Sequence, residues 1–168
     1  MLVITICAMG VALLLNAGIF GFFYAWVCST MWGLDAADPR VAIEAMQAMN
    51  ASVRNMTFAP AFFGTPFALW LAAALLWRSQ NIASARCFAV AGLTYFALGM
   101  LLTMGINVPM NEALALVQVP ASIEEARVIW EDYSGTWQMW NQVRTFTSGL
   151  AFAIALAGVF FFRTSPEA

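Results

Sequence analysis

Six residues in the last third of the chain, Trp130, Tyr133, Trp137, Trp140, Asn141 and Arg144, step by three, four, three, one and three positions. On a continuous α-helix that spacing puts them on one face. Such a face offers flat aromatic surface beside an amide and a cation, a wall suited to a flat, apolar ligand that carries an oxygen. Asn107 and Asn111 flank Pro109 some thirty residues earlier. The amides of Asn107, Asn111 and Asn141 can hold ligand oxygens or stabilise a developing oxyanion, and Arg144 can give a further polar contact. Glu112 follows the asparagine pair and is a candidate base or a partner for Arg144. The catalytic candidates are therefore Asn141, Arg144 and Glu112. A plainer reading exists for each group. Trp and Tyr collect at membrane–water boundaries, and asparagines around a proline satisfy helix ends. An aromatic belt does not account for an arginine on the azimuth of Trp137 and Trp140.

Other chemistries lack their residues. The chain contains no histidine, which removes the commonest metal ligand and the commonest general acid–base group. Cys7, Cys28 and Cys87 form no CxxC spacing, so neither a zinc site nor a disulfide framework is indicated. Cys7 and Cys87 fall in apolar segments and are expected to pack as small hydrophobes. Met46, Met49, Met56, Met100, Met104, Met110 and Met139 are expected toward one end of the molecule. Thioethers bind Cu(I), but without histidine or CxxC they read better as adaptable packing. No metal and no cofactor is expected. Glu124, Glu125, Glu131 and Asp132 around Arg127 read as a solvated helix face. All seven basic residues are arginines, spread along the chain, and the net charge is −2. No basic cluster points to nucleic acid.

What must position the aromatic face is a membrane bundle. Of 168 residues, 62% are hydrophobic and only 10% charged, with a mean hydropathy of +0.79, whereas a soluble domain carries about 25% charged residues. So few charges cannot build a water-facing surface, and lipid must be the solvent for most of the chain. The expected fold is an all-α, single-domain bundle of four transmembrane helices over about 3–33, 56–77, 86–106 and 136–162, with outer amphipathic helical segments within 35–55 and 107–135. Asp38-Pro39 reads as an N-cap followed by proline in the first helical turn. Pro60 and Gly64-Thr65-Pro66 should bend the second span. Pro109 should stop the third, and Gly135 should break the segment before the fourth, with Ser134 or Thr136 capping the fourth itself. Gly149, Ala153 and Ala157 are the expected packing stripe of the last helix, and Asn16, mid-span, should face other helices. The tail, Thr164 to Ala168, should fray. Four spans put both termini on one side. That side carries Arg78, Arg86 and Arg163 against one acid, Glu167, which points to cytoplasmic termini in a bacterial inner membrane.

Several stretches, in order along nearly the whole chain, resemble the anthrone oxygenase-like family of small four-helix membrane proteins. They are Gly21-Phe22-Phe23-Tyr24-Ala25-Trp26, Gly33-Leu34, Ala45-Met46-Gln47-Ala48-Met49-Asn50, Phe62-Phe63-Gly64, Asn107-Val108-Pro109-Met110-Asn111, and Trp130, Tyr133 and Trp137 with Trp140-Asn141-Gln142-Val143-Arg144-Thr145. Each motif is short; their order and spacing carry the resemblance. Fungal members are linked to oxidation of an anthrone to an anthraquinone. The resemblance therefore implies an oxygenase-like role on a hydrophobic phenol or quinol. An anthrone can reduce dioxygen through its own carbanion, which would leave the protein to deprotonate, orient and exclude water.

On this reading a pocket between the outer ends of the spans is lined by Tyr24, Met46, Asn50, Phe63, Asn107, Asn111, Trp130, Tyr133, Trp137 and Trp140, with Asn141 and Arg144. The partners are membrane lipid and a hydrophobic aromatic molecule. A second reading, from a different class, is a non-catalytic accessory subunit that docks on a larger membrane complex or on its own copies. A transporter is a weaker third, since no acid lies within a span to mark an ion path.

Overall fold

The computed structural model describes residues 1–163, and the expected fraying of 164–168 falls outside the described residues. Among the described residues every regular element is helical. There are five continuous helical rods: α1 (Leu2–Asp35), α2 (Pro39–Ser52), α3 (Ala59–Arg78), α4 (Ile82–Ala115) and α5 (Ile123–Phe160). All but α2 are long and apolar enough to cross a membrane. At ~1.5 Å per residue, α5 is roughly 57 Å long, against a hydrocarbon core of ~30 Å, so it runs well beyond one side of the lipid.

The four long helices form a closed ring in which each neighbour runs antiparallel to the next. Leu15 of α1 meets Gly64 of α3, and Trp70 of α3 meets Gly92 of α4. Thr147 of α5 donates to the Leu98 carbonyl of α4. Phe20 of α1 lies against Gly149 of α5. The N-terminus, the α3–α4 turn and the last turn of α5 share one end. The other end is closed by α2 and the loop before α5, and is called here the capped end.

Prolines are absorbed because neighbouring groups take up what they release. Pro66 has no N–H to offer the Phe62 carbonyl four residues back. The Tyr95 hydroxyl of α4 donates to that carbonyl instead, at 2.9 Å. Pro109 does not stop α4 as the sequence suggested. The preceding turns, Tyr95–Leu101 and Thr103–Asn107, are π-helical, and Val108 N–H reaches back to the Thr103 carbonyl. This wider turn delivers the chain to Pro109 with the helix axis continuing to Ala115. A third π-helical stretch, Trp26–Thr30, lies in α1.

The expected break at Gly135 is also absent: α5 is unbroken, and Gly135 is exposed with nothing within 4 Å of where a Cβ would stand. Its start is set by Ser122, whose hydroxyl accepts from Glu125 N–H. Ser122-Ile-Glu-Glu125 is a capping box that marks this start in the sequence. The α2 start is as expected. Asp38 accepts from Arg40 N–H at 2.9 Å, and the Arg40 guanidinium grips the same carboxylate at 2.7 Å. These two bonds, side chain first, hold the Asp38 carboxyl at about 2, below its ordinary 3.8. A lowered pKa means the cap's contribution is complete above pH 3.8 and is lost only as the pH falls through about 2.

The packing stripe of α5 differs from expectation. Ala153 is exposed, and the buried small residues are Ser148, Ala151, Ala155 and Gly158. A helix apolar on all sides gives no phase by which to choose between them. Cys7 likewise faces outward rather than into the core. At Gly158 an added Cβ would stand 2.9 Å from the Cys87 Cβ and 3.0 Å from the Phe88 ring. Gly158→Ala is expected to destabilise the bundle by ~1–3 kcal/mol through overpacking, read as a lower melting temperature in detergent. Gly18→Ala, where nothing lies within 4 Å, should melt no lower than the parent.

Candidate functional site

Two apolar clusters stack along the ring. One fills its middle and uncapped end, around Ile19, Phe23, Leu69, Phe88 and Tyr95. The other sits under the cap and joins Met31 of α1, Ala42, Ile43 and Met46 of α2, and Trp130, Tyr133 and Trp137 of α5. Polar side chains are concentrated where the two meet.

Arg144 is the centre of that seam. It is 4% exposed. Its guanidinium carbon lies 4.6 Å from the Phe23 ring centre and 4.8 Å from that of Trp137, a sandwich between two π faces. Its Nε donates to Asn141 Oδ1 at 2.8 Å. Among the described residues no carboxylate pairs with it, and its two terminal nitrogens donate to no acceptor there. Asn141 is held in turn by α1, its Nδ2 donating to the Phe23 carbonyl at 3.2 Å. Below it, Thr145 and Ser148 return their hydroxyls to the Asn141 and Arg144 carbonyls.

Helix α4 supplies the other wall. Asn111 Oδ1 accepts both the Tyr133 hydroxyl and the Trp137 indole N–H, each at 2.8 Å, so one carbonyl fixes two aromatic rings. Asn107 is fully buried. Its Nδ2 reaches the Trp137 carbonyl at 3.5 Å, and its Oδ1 has no partner among the described residues. Asn50 of α2 neighbours the Tyr133 hydroxyl, and its buried Nδ2 is also unpartnered there. A buried unpaired polar atom costs free energy. An unpaired acceptor, an unpaired donor and an uncompensated cation therefore stand around the Tyr133–Trp137 pair, with groups free for a ligand.

Most of the expected residues gather here: Met46, Asn50, Asn107, Asn111, Tyr133, Trp137, Asn141 and Arg144. Trp140 is only half-buried. Two expectations are corrected by where the side chains lie. Glu112 does not pair with Arg144; it is exposed and pairs with Arg54 at 3.4 Å. Tyr24 and Phe63 are 51% and 47% exposed, while their neighbours Phe23 and Phe62 turn inward. One residue is about one hundred degrees of helix, enough to carry a side chain from core to lipid. The methionines do not converge: Met46 and Met100 are buried in different clusters, and Met56, Met104 and Met139 are exposed.

Sequence reading missed Asp35. Its Oδ1 accepts the Trp130 indole N–H at 2.9 Å and the Ser134 hydroxyl at 2.7 Å, and its Oδ2 accepts from Gln138 at 2.8 Å. Trp130, Ser134 and Gln138 form an i, i+4, i+8 row of donors on α5, and that row was the available signal. Asp35 ties the end of α1 to the capped half of α5 beside a cleft of about 400 Å³. Of the expected pocket wall, that cleft shares only Trp130.

Comparison with known proteins bears on this arrangement. No curated protein and no solved structure matches the chain. The sequence model of the family described as anthrone oxygenase matches residues 46–154, a stretch that holds α3, α4, the end of α2 and all of α5 except its last turns. It includes Asn107, Asn111, Trp137, Asn141 and Arg144. With nearly two thirds of its residues matched, this four-helix membrane protein belongs to the anthrone oxygenase family.

Proposed function

We propose that the protein binds a flat, hydrophobic phenol or quinol-like molecule at the capped end of the bundle and oxidises it with dioxygen. The observation that carries this reading is Arg144, a buried cation between Phe23 and Trp137 without a counter-ion among the described residues. A buried charge left unpaired is costly, and a ligand that supplies the anion removes the cost. An aromatic ring bearing an ionised oxygen fits both features: the oxygen meets the guanidinium and the ring meets the indole. Asn107 Oδ1 and Asn50 Nδ2 offer hydrogen bonds to further oxygens.

The chemistry needs little else. An anthrone-type substrate loses a C–H proton to water, and Arg144 stabilises the enolate formed. The carbanion adds dioxygen as a hydroperoxide. Loss of water across the C–H and O–O bonds then leaves a second ketone, with the substrate's own electrons reducing the oxygen. Asn141 holds the Arg144 guanidinium in place. Glu112, paired with Arg54 at the surface, has no part in this scheme. The position of Arg78 and Arg86 at the uncapped end supports a bacterial inner membrane with that end cytoplasmic.

The test is oxygen consumption by proteoliposomes supplied with anthrone. Equimolar oxygen uptake above that of empty vesicles is expected, and it should be lost in Asn141→Ala and Arg144→Ala. If intact protein neither consumes oxygen nor retains a phenol, the reading fails, and the accessory-subunit alternative takes its place.

A further inference from the structure

Access to Arg144 is the unexplained part of the site. Met46, Trp130, Tyr133 and Trp137 are buried together beneath α2, and Asn111 locks two of those rings. On the flank, by contrast, a crevice of about 90 Å³ is lined by Trp26, Val27 and Trp32 of α1 and Gln138, Asn141 and Gln142 of α5. Asn141 is the side chain bonded to Arg144. The rim is open: Trp32 is 68% exposed, and Gln142 is exposed as well.

We propose that this crevice is the entrance and first binding position of the site, and that it takes a neutral, flat, hydroxyl-bearing aromatic from the membrane rather than from water. This rests on the phenol-binding reading given above. The lining contains two indoles and no charged side chain, which suits a molecule already dissolved in lipid. The Nε2 of Gln138 is taken by Asp35 and Ser134, leaving Oε1 to accept a phenol hydroxyl. Between crevice and Arg144 stand two rings: Trp26 lies 5.1 Å from Trp137, and Trp137 covers the guanidinium. Trp26 opens the π-helical stretch Trp26–Thr30, where the ordinary i to i+4 ladder is interrupted and Thr30 turns its hydroxyl back to the Ala25 carbonyl at 3.3 Å. Such π turns recur at functional sites. Trp26 is therefore the gate, and a phenol that passes it reaches Arg144 and ionises there.

The test reads access without requiring ligand or turnover. Cys7, Cys28 and Cys87 are changed to serine, and Arg144→Cys is introduced in vesicles. N-phenylmaleimide, which partitions into lipid, should label Cys at 144, while a water-borne trimethylammonium methanethiosulfonate should not. Trp26→Ala should speed the maleimide reaction by roughly threefold to tenfold, the weight of one aromatic pair. Trp77→Ala, at the opposite end, should leave the rate unchanged. Equal labelling by the charged reagent, no effect of Trp26→Ala, or no labelling in either background would overturn the proposal. If Arg144→Cys does not fold, Asn141→Cys on the crevice floor tests the entrance: the maleimide should label it and the charged reagent should not, Trp26→Ala should leave its rate unchanged because it lies ahead of the gate, and equal labelling or none overturns the proposal. Because neither reagent needs a phenol site, a failed gate leaves the oxidation reading standing, and failed oxygen uptake leaves the labelling result standing.

Discussion

Arg144→Met is expected to bind an anionic hydroxynaphthoquinone at least ~30-fold more weakly than the parent, the loss expected on truncating one partner of a buried charge pair. The same variant is expected to melt no lower than the parent, and to gain up to ~4 kcal/mol of stability. Methionine fills much of the arginine volume between Phe23 and Trp137, and a buried cation with no protein counter-ion is a net cost to the ligand-free fold. The paired measurements are titration calorimetry with 2-hydroxy-1,4-naphthoquinone and thermal unfolding in one detergent. Lower stability with unchanged binding would mean that Arg144 braces the bundle and does not serve a ligand. Arg144→Lys separates charge from shape. It keeps the cation but loses the planar stack and the fork of terminal N–H groups, so intermediate binding is expected.

The second large effect is expected at Asn111. Its carbonyl accepts from Tyr133 and Trp137 at 2.8 Å each, and both rings are more than nine-tenths buried. Asn111→Leu leaves two buried donors without an acceptor, at ~1–3 kcal/mol for each. A loss of ~2–6 kcal/mol should appear as a sharply lower melting temperature and a change in tryptophan emission. Asn111→Asp keeps an acceptor for both donors and should recover most of the stability. If the leucine variant melts with the parent, the shared hydrogen bonds do not organise the site.

The sequence displayed the four apolar helices because each contains a long run with almost no charge, and it displayed the Trp137–Arg144 face because three- and four-residue spacing survives in any straight helix. It displayed the pairing of Asn111 with the aromatic face less directly, since that contact joins residues 22 and 26 positions apart. Tyr24 and Phe63 were misplaced for a physical reason. In a helix apolar on every side, hydrophobicity cannot distinguish lipid from core, and Tyr24 differs from the buried Phe23 by one position. The π-helical turns have no compositional signature. Pro109 therefore looked like an end when the turn before it had already made room. Gly135 looked like a break because glycine is a poor helix former, but one glycine costs only about 1 kcal/mol, which a helix packed along most of its length absorbs. Asp35 was passed over because its three donors lie 95 to 103 residues away.

The uncompensated Arg144 has a consequence for how the chain is made. An arginine inside a lone apolar helix adds up to roughly 3 kcal/mol to the cost of leaving the translocon for lipid, most at the centre of the span, and α5 is the last of the four helices to be synthesised. Its arginine becomes tolerable only against Phe23 of α1 and the Trp137 ring that Asn111 of α4 holds. The first three long helices must therefore already stand together in the bilayer when α5 arrives, so that it partitions onto protein instead of into lipid. Membrane integration of α5 and closure of the ring are then a single step, and a defect in the Phe23 or Asn107 surroundings would surface during biogenesis as a fourth helix left outside the membrane.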